Sequence, residues 1–201
     1  MNVTVIALTF GPIFLVELPD KTFVAALVLS TRYRALPVWL GVGAAFGIQC
    51  LVAVTAGHFA TLLPERMLQA ITAVIFLAGA VLLVKTAPGA AEEEKQQEEA
   101  YAKKSRDERS GWRAAGASFA VVFAAEWGDL SQLLTIGLVA RYHDPVSVFV
   151  GSWGALLVVS GLAVLSGRLL LRHLRLSLLH YIAAAVCLAV AIFTAYEAIA
   201  T

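Results

Sequence analysis

Residues 17–22 read Glu17-Leu18-Pro19-Asp20-Lys21-Thr22, and residues 126–132 read Glu126-Trp127-Gly128-Asp129-Leu130-Ser131-Gln132. Each acidic pair sits inside a long apolar run, 3–30 in the first case and 112–140 in the second. Outward from these, the runs 36–63, 68–86, 146–171 and 178–200 are also long enough to cross a hydrocarbon core about 30 Å thick, which takes roughly 20 apolar residues. The composition agrees: 60% of the 201 residues are hydrophobic and 14% charged, with mean hydropathy +0.81, whereas a soluble domain is about a quarter charged. Two cysteines and a net charge of +1 leave no disulfide scaffold and no nucleic-acid partner. The expectation is an all-α, multi-pass integral membrane protein with six transmembrane helices in a lipid bilayer. The first run has no basic start and continues beyond its charged residues into more apolar chain, so it reads as a mature span rather than a cleaved signal peptide.

The chain repeats itself. At an offset of 109, Glu17, Asp20, Leu29, Arg32 and Tyr33 match Glu126, Asp129, Leu138, Arg141 and Tyr142. After a one-residue insertion the offset is 110, and Val38, Gly41, Ala45, Ala53, Val54 and Gly57 match Val148, Gly151, Ala155, Ala163, Val164 and Gly167. Each copy holds three spans, an odd number, so the second copy enters the membrane from the opposite side. The expected organisation is two inverted three-helix repeats, 1–86 and 112–201, joined by a charged linker, 87–111. Inverted repeats bring equivalent residues close to a pseudo-two-fold axis in the membrane plane, where secondary transporters place their substrate sites.

Orientation follows from the basic residues. Arg32, Arg34, the group from Lys85 to Arg113, and Arg168, Arg172 and Arg175 fall on one side, twelve of the fifteen, against Arg66 and Arg141 opposite and Lys21 within a span. Lys and Arg near span ends resist translocation, so the linker side is cytoplasmic and both termini face outward, as in a bacterial plasma membrane. The linker carries Glu92, Glu93, Glu94, Glu98, Glu99, Lys103, Lys104, Arg106, Asp107, Glu108 and Arg109 and reads as a solvated connection without a site.

A charged side chain at the bilayer centre costs at least about 2.5 to 3.5 kcal/mol on insertion scales. Residues at i and i+3 share a helix face, so Glu17 with Asp20 and Glu126 with Asp129 are expected to converge, and Lys21 can neutralise only one of the four. With Thr22, Ser131 and Gln132 as further oxygen donors, the set suits a hard divalent cation such as Ca²⁺, Mn²⁺ or Mg²⁺. Protonated acids that merely bond helices together are the plainer alternative. Pro19 removes a backbone donor and Gly128 weakens the helix at the equivalent point, which implies either unwound turns with free carbonyls or ordinary kinks. Lys21 reads equally as a coupling group or as a counter-ion to an acid. Gln49, in the middle of its span, reads as an interhelical hydrogen-bond partner and not as a ligand. Gly41, Gly43, Gly47, Gly151 and Gly154 read as close-packing seams, and Trp127 as a residue that shapes the cavity.

The paired motif Glu-x-Gly-Asp-Lys/Arg-Thr/Ser, once in each half of a six-span chain, resembles the uncharacterised-protein-family 0016 group, also called the Gdt1 or transmembrane-protein-165 family. The resemblance covers the chain apart from the linker. It implies export of Mn²⁺ or Ca²⁺ in exchange for protons, with the ion as transported substrate and no permanently bound cofactor. It implicates Glu17, Asp20, Lys21 and Thr22 in one copy and Glu126, Gly128, Asp129 and Ser131 in the other. Pro19 stands where the family has glycine, and Leu130 where it has a base. Protons and metal would compete for the same oxygens as the halves alternate access, and a homo-oligomer is compatible with this reading. Two alternatives remain: an exporter of an amino acid or other small solute, like the lysine exporters with their duplicated three-span halves, and an intramembrane metal-dependent enzyme. The chain has no cofactor motif and no nucleophile paired with a base, so the expectation is that it is not an enzyme.

Overall fold

The computed structural model describes residues 1–18, 20–90, 92, 95–96, 99, 112–125, 127–173 and 176–200. Among them every regular element is helical: α1 (Val3–Glu17), α2 (Lys21–Arg32), α3 (Ala35–Ala60), α4 (Glu65–Thr86), a 3₁₀ turn (Ala87–Gly89), α5 (Trp112–Ala125), α6 (Leu130–Tyr142), α7 (Pro145–His173) and α8 (Leu176–Ala200). The side chain of Asn2 caps α1 by accepting from the Thr4 N–H at 3.0 Å. At the far end of α6, His143 takes a left-handed conformation, φ 51°, while its N–H bonds the Val139 carbonyl and closes the helix.

Four segments are long and apolar enough to span a bilayer: Ala35–Ala60, Arg66–Gly89, Pro145–Leu165 and Ser177–Ile199. Their outward surfaces stay apolar, with Leu40, Ile48, Leu51 and Phe59 exposed on α3 and Ile192, Phe193 and Ile199 on α8. A solvent-facing helix would place polar residues there, so these faces belong to lipid. The chain is an integral membrane protein.

The runs 3–30 and 112–140, each expected as one span with an unwound turn or a kink, are both broken at the acidic motif. Helix α1 stops at Glu17 and α2 begins at Lys21; α5 stops at Ala125 and α6 begins at Leu130, turned by 72°. The bent pair α5–α6 qualifies as a fifth span, while α1 is a shorter apolar helix of 15 residues. At the second break Gly128 has φ 79°, a conformation that an L side chain rarely adopts. The linker departs from expectation at its start, because Ala87 and Ala90 are buried and the 3₁₀ turn packs against α8. Apolar side chains at those positions continue the α4–α8 seam before the charged residues begin.

Helices α4 and α8 form the most extensive pairing, and α1 packs on α7 as α5 packs on α3. Glycine permits the last two contacts. A Cβ at Gly151 would lie 2.7 Å from the Ile6 carbonyl oxygen, and one at Gly41 would collide with the Ala115 backbone. Across the centre, α3 and α7 cross, with the Trp153 indole N–H on the Gly43 carbonyl (2.9 Å) and the Trp39 indole N–H on the Leu157 carbonyl (3.0 Å).

Candidate functional site

Both breaks turn inward and meet. One carboxylate oxygen each from Glu17, Asp20 and Asp129 lie within 4.8 Å of one another. Oxygens on the shell of a single Ca²⁺ lie at most about 5 Å apart, twice the metal–oxygen distance of about 2.3–2.6 Å, so all three can bind one ion. Glu17 is fully buried, whereas Asp20 and Asp129 are partly exposed. Glu126 and Pro19, together with the side chains of Lys21 and Thr22, fall outside the described residues.

Glu17 and Asp20 converge as their spacing suggested, but not from one helix face. Glu17 is the last residue of α1, while Asp20 and Asp129 are the N-caps of α2 and α6. The Asp129 carboxylate accepts from the Ser131 N–H at 3.3 Å and lies 3.4 Å from the Ser131 hydroxyl, so it caps its own helix. An Asp followed two residues later by Thr or Ser, at the point where an apolar run bends, is the sequence signal of such a cap. This arrangement stabilises the acids, because the positive ends of the α2 and α6 dipoles lie against Asp20 and Asp129. The C-terminal end of α1 carries the opposite partial charge and favours a cation.

Two unit charges about 4 Å apart repel by about 4 kcal/mol at an effective dielectric constant of about 20. Three carboxylates in one cluster are therefore stable only when cations or protons offset their charge. Bound to one ion, they would supply three hard oxygens, the donor set for a divalent metal.

The neighbouring polar residues support the acids. The Ser131 hydroxyl turns to Asp129, and the Thr135 hydroxyl reaches the Ser131 carbonyl at 2.8 Å and the Ser152 hydroxyl at 3.2 Å. Gln132 accepts from the Gly128 N–H at 2.9 Å and donates to the Gln49 carbonyl at 3.4 Å. The Gln49 amide donates to the Phe123 carbonyl at 3.2 Å, the interhelical bond expected of it. Between Gln49, Cys50, Ser131, Gln132 and Thr135 a void of about 10 Å³ remains, about the room one water needs. Trp127 turns outward, 59% exposed, and packs on Phe123 with ring centroids 5.1 Å apart, so it does not line the cluster. One pairing had no notice in the sequence: Arg141 reaches Glu197 at 3.0 Å and Thr194 at 2.6 Å, tying the end of α6 to α8.

Comparison with known proteins points the same way as the geometry. The family model described as divalent cation/proton antiporter GDT1 matches residues 5–90 and 114–201. The chain is 32% identical over 209 residues to protein PAM71, chloroplastic, of Arabidopsis thaliana, covering 95% of this chain and 56% of that one. It is 33% identical over 160 residues to GDT1-like protein sll0615 of Synechocystis, covering 76% and 77%. With a putative manganese exporter of Vibrio cholerae it shares 29% over 198 residues, covering 96% and 91%. The chain spans little more than half the length of the chloroplast relative. No solved structure matches it.

Proposed function

Because the chain belongs to the GDT1 family of divalent cation/proton antiporters, we propose that it exports Mn²⁺ or Ca²⁺ in exchange for protons, through a site built from Glu17, Asp20 and Asp129 with Glu126 as the fourth acid. The observation that carries this reading is the meeting of three carboxylate oxygens within 4.8 Å, contributed by residues more than 100 positions apart. The family match is to an antiporter, not to an amino-acid exporter or an enzyme, and the relative in Vibrio cholerae bears the name of a manganese exporter.

Exchange follows from the charge of the cluster. Metal and protons neutralise the same oxygens, so arrival of one displaces the other. The dipole ends of α2 and α6 hold Asp20 and Asp129 in place through both states. An inward proton gradient then drives the metal outward.

The halves act as inverted repeats. In support, Gly41 meets Ala115 and Gly151 meets Ile6, and the offsets of 110 and 109 carry Gly41 to Gly151 and Ile6 to Ala115, so each contact is the image of the other. Gly43 and Trp153, themselves related by 110, touch each other, as residues beside a two-fold axis do. Rocking one half against the other around the acids would open them to alternate sides. The excess of basic residues places the linker in the cytoplasm.

The test is flux. Purified protein in proteoliposomes with an imposed pH gradient should transport Mn²⁺ or Ca²⁺, and move protons the other way. Native metal flux in both Asp20→Asn and Asp129→Asn would remove the site.

A further inference from the structure

A helix that breaks within a membrane strands backbone groups that water cannot satisfy, and each one left unpaired costs several kcal/mol. At the second break, the Phe123 carbonyl lies in the last turn of α5, where the helix supplies no donor, and the Gly128 N–H lies ahead of α6, where it supplies no acceptor. Two amide side chains satisfy them: Gln49 donates to Phe123 (3.2 Å), and Gln132 accepts from Gly128 (2.9 Å). Gln132 also donates to the main-chain carbonyl of Gln49 (3.4 Å), so both arms of the break are tied to one residue of α3. Asp129 is the residue between Gly128 and the start of α6, and its direction follows from where those ties hold the arms.

We propose that Gln49 and Gln132 are positioning residues of the cation site: their amides form a clasp that anchors the α5–α6 break to α3 and thereby holds Asp129 against Glu17 and Asp20. Neither side chain is a ligand. Gln49 belongs to the first repeat and Gln132 to the second, so the clasp also joins the two halves beside the ion. The equivalent positions, Val159 at an offset of 110 and Phe23 at 109, are apolar and buried, so the clasp serves one break.

This rests on the cation-site reading above, and the experiment separates the two. Mn²⁺ transport is measured in proteoliposomes for the full chain carrying Gln49→Met, Gln132→Met or both, which keep side-chain length and remove the amides, and for Asp129→Asn. Loss of a residue that orients a ligand typically weakens metal binding about 10- to 100-fold. Each single variant should raise KM for Mn²⁺ by about tenfold while Vmax stays within about twofold. The double variant should be no worse than the weaker of the two singles, because one clasp can be lost only once. If a methionine variant does not fold, Gln49→Asn, which keeps the amide and shortens its reach, should raise KM in the same way. Native KM in the folded variants, effects that multiply in the double, or a fall in Vmax alone would overturn the clasp. If Asp129→Asn loses transport while the glutamine variants keep native KM, the clasp fails and the site stands. If Asp129→Asn keeps native KM, the site itself fails.

Discussion

At the first break, among the described residues, main-chain bonds run from the Leu18 N–H to the Phe14 carbonyl, from the Asp20 N–H to the Glu17 carbonyl, and from the Phe23 N–H to the Asp20 carbonyl. At the second, side chains from two helices bond the main chain, and the backbone turns through 72°. Leu18 is buried at 7% exposure, and its counterpart Trp127 is 59% exposed. The two regions present equivalent aspartates, Asp20 and Asp129, in different surroundings. In both, an aspartate sits at the cap of a helix that has just begun, Asp20 on α2 and Asp129 on α6.

The strongest check on this likeness is chemical. Asp20→Asn and Asp129→Asn should each reduce metal flux by at least the roughly 100-fold at the upper end of what supporting residues cost, despite their different surroundings. Unequal losses, read from initial rates in proteoliposomes, would show that one break dominates. Next in size come Gly41→Ala and Gly151→Ala, which push a Cβ into the Ala115 and Ile6 backbones. Overpacking costs typically about 1–3 kcal/mol, so both should lower the thermal midpoint of the purified protein, and by similar amounts if the contacts are images of one another. Smaller still is Gly128→Ala. Nothing lies within 4 Å of its Cβ position, so the change acts only through φ 79° and should cost about 1–2 kcal/mol, seen in the same melting experiment. A neutral result would mean that the second break tolerates another backbone path. The smallest effect belongs to Glu197→Gln. Its pair with Arg141 has no counterpart in the first half, where an offset of 110 leads back to Ala87, and Glu197 is 39% exposed. Such pairs contribute about 0–1 kcal/mol, so the midpoint should move by a few degrees at most and Mn²⁺ KM should stay native.

Much of this architecture could be read along the chain. Hydropathy marks the long helices α3, α4, α7 and α8, because desolvation in lipid acts on each residue where it stands. The offsets of 109 and 110 pair Gly41 with Gly151 and Glu17 with Glu126 before any coordinates are seen. Pro19 and Gly128 flag the places where the helices end. The i, i+3 spacing led to the convergence of Glu17 with Asp20 but not to its geometry, because it assumes an unbroken helix, whereas Asp20 caps a new one. The glutamines were half readable: an amide in a span seeks a partner, but the identity of that partner depends on how α3 lies against α5 and α6. Gln132 reads from its place in the motif as a further oxygen donor, and its bonds to Gly128 and Gln49 are visible only in the packed structure.

Membrane residence, helix content, the duplication and the acidic motifs therefore come from composition and local order, since apolar transfer, helix propensity and capping depend on a residue and its near neighbours. The approach of Asp129 to Glu17 and Asp20, the ties of Gln49 and Gln132 to other helices, and the bridge from Arg141 to Glu197 come from packing between residues 56 to 112 positions apart. Their distances depend on how closely the helices approach at Gly41 and Gly151, where even one added methyl group would push two backbones apart.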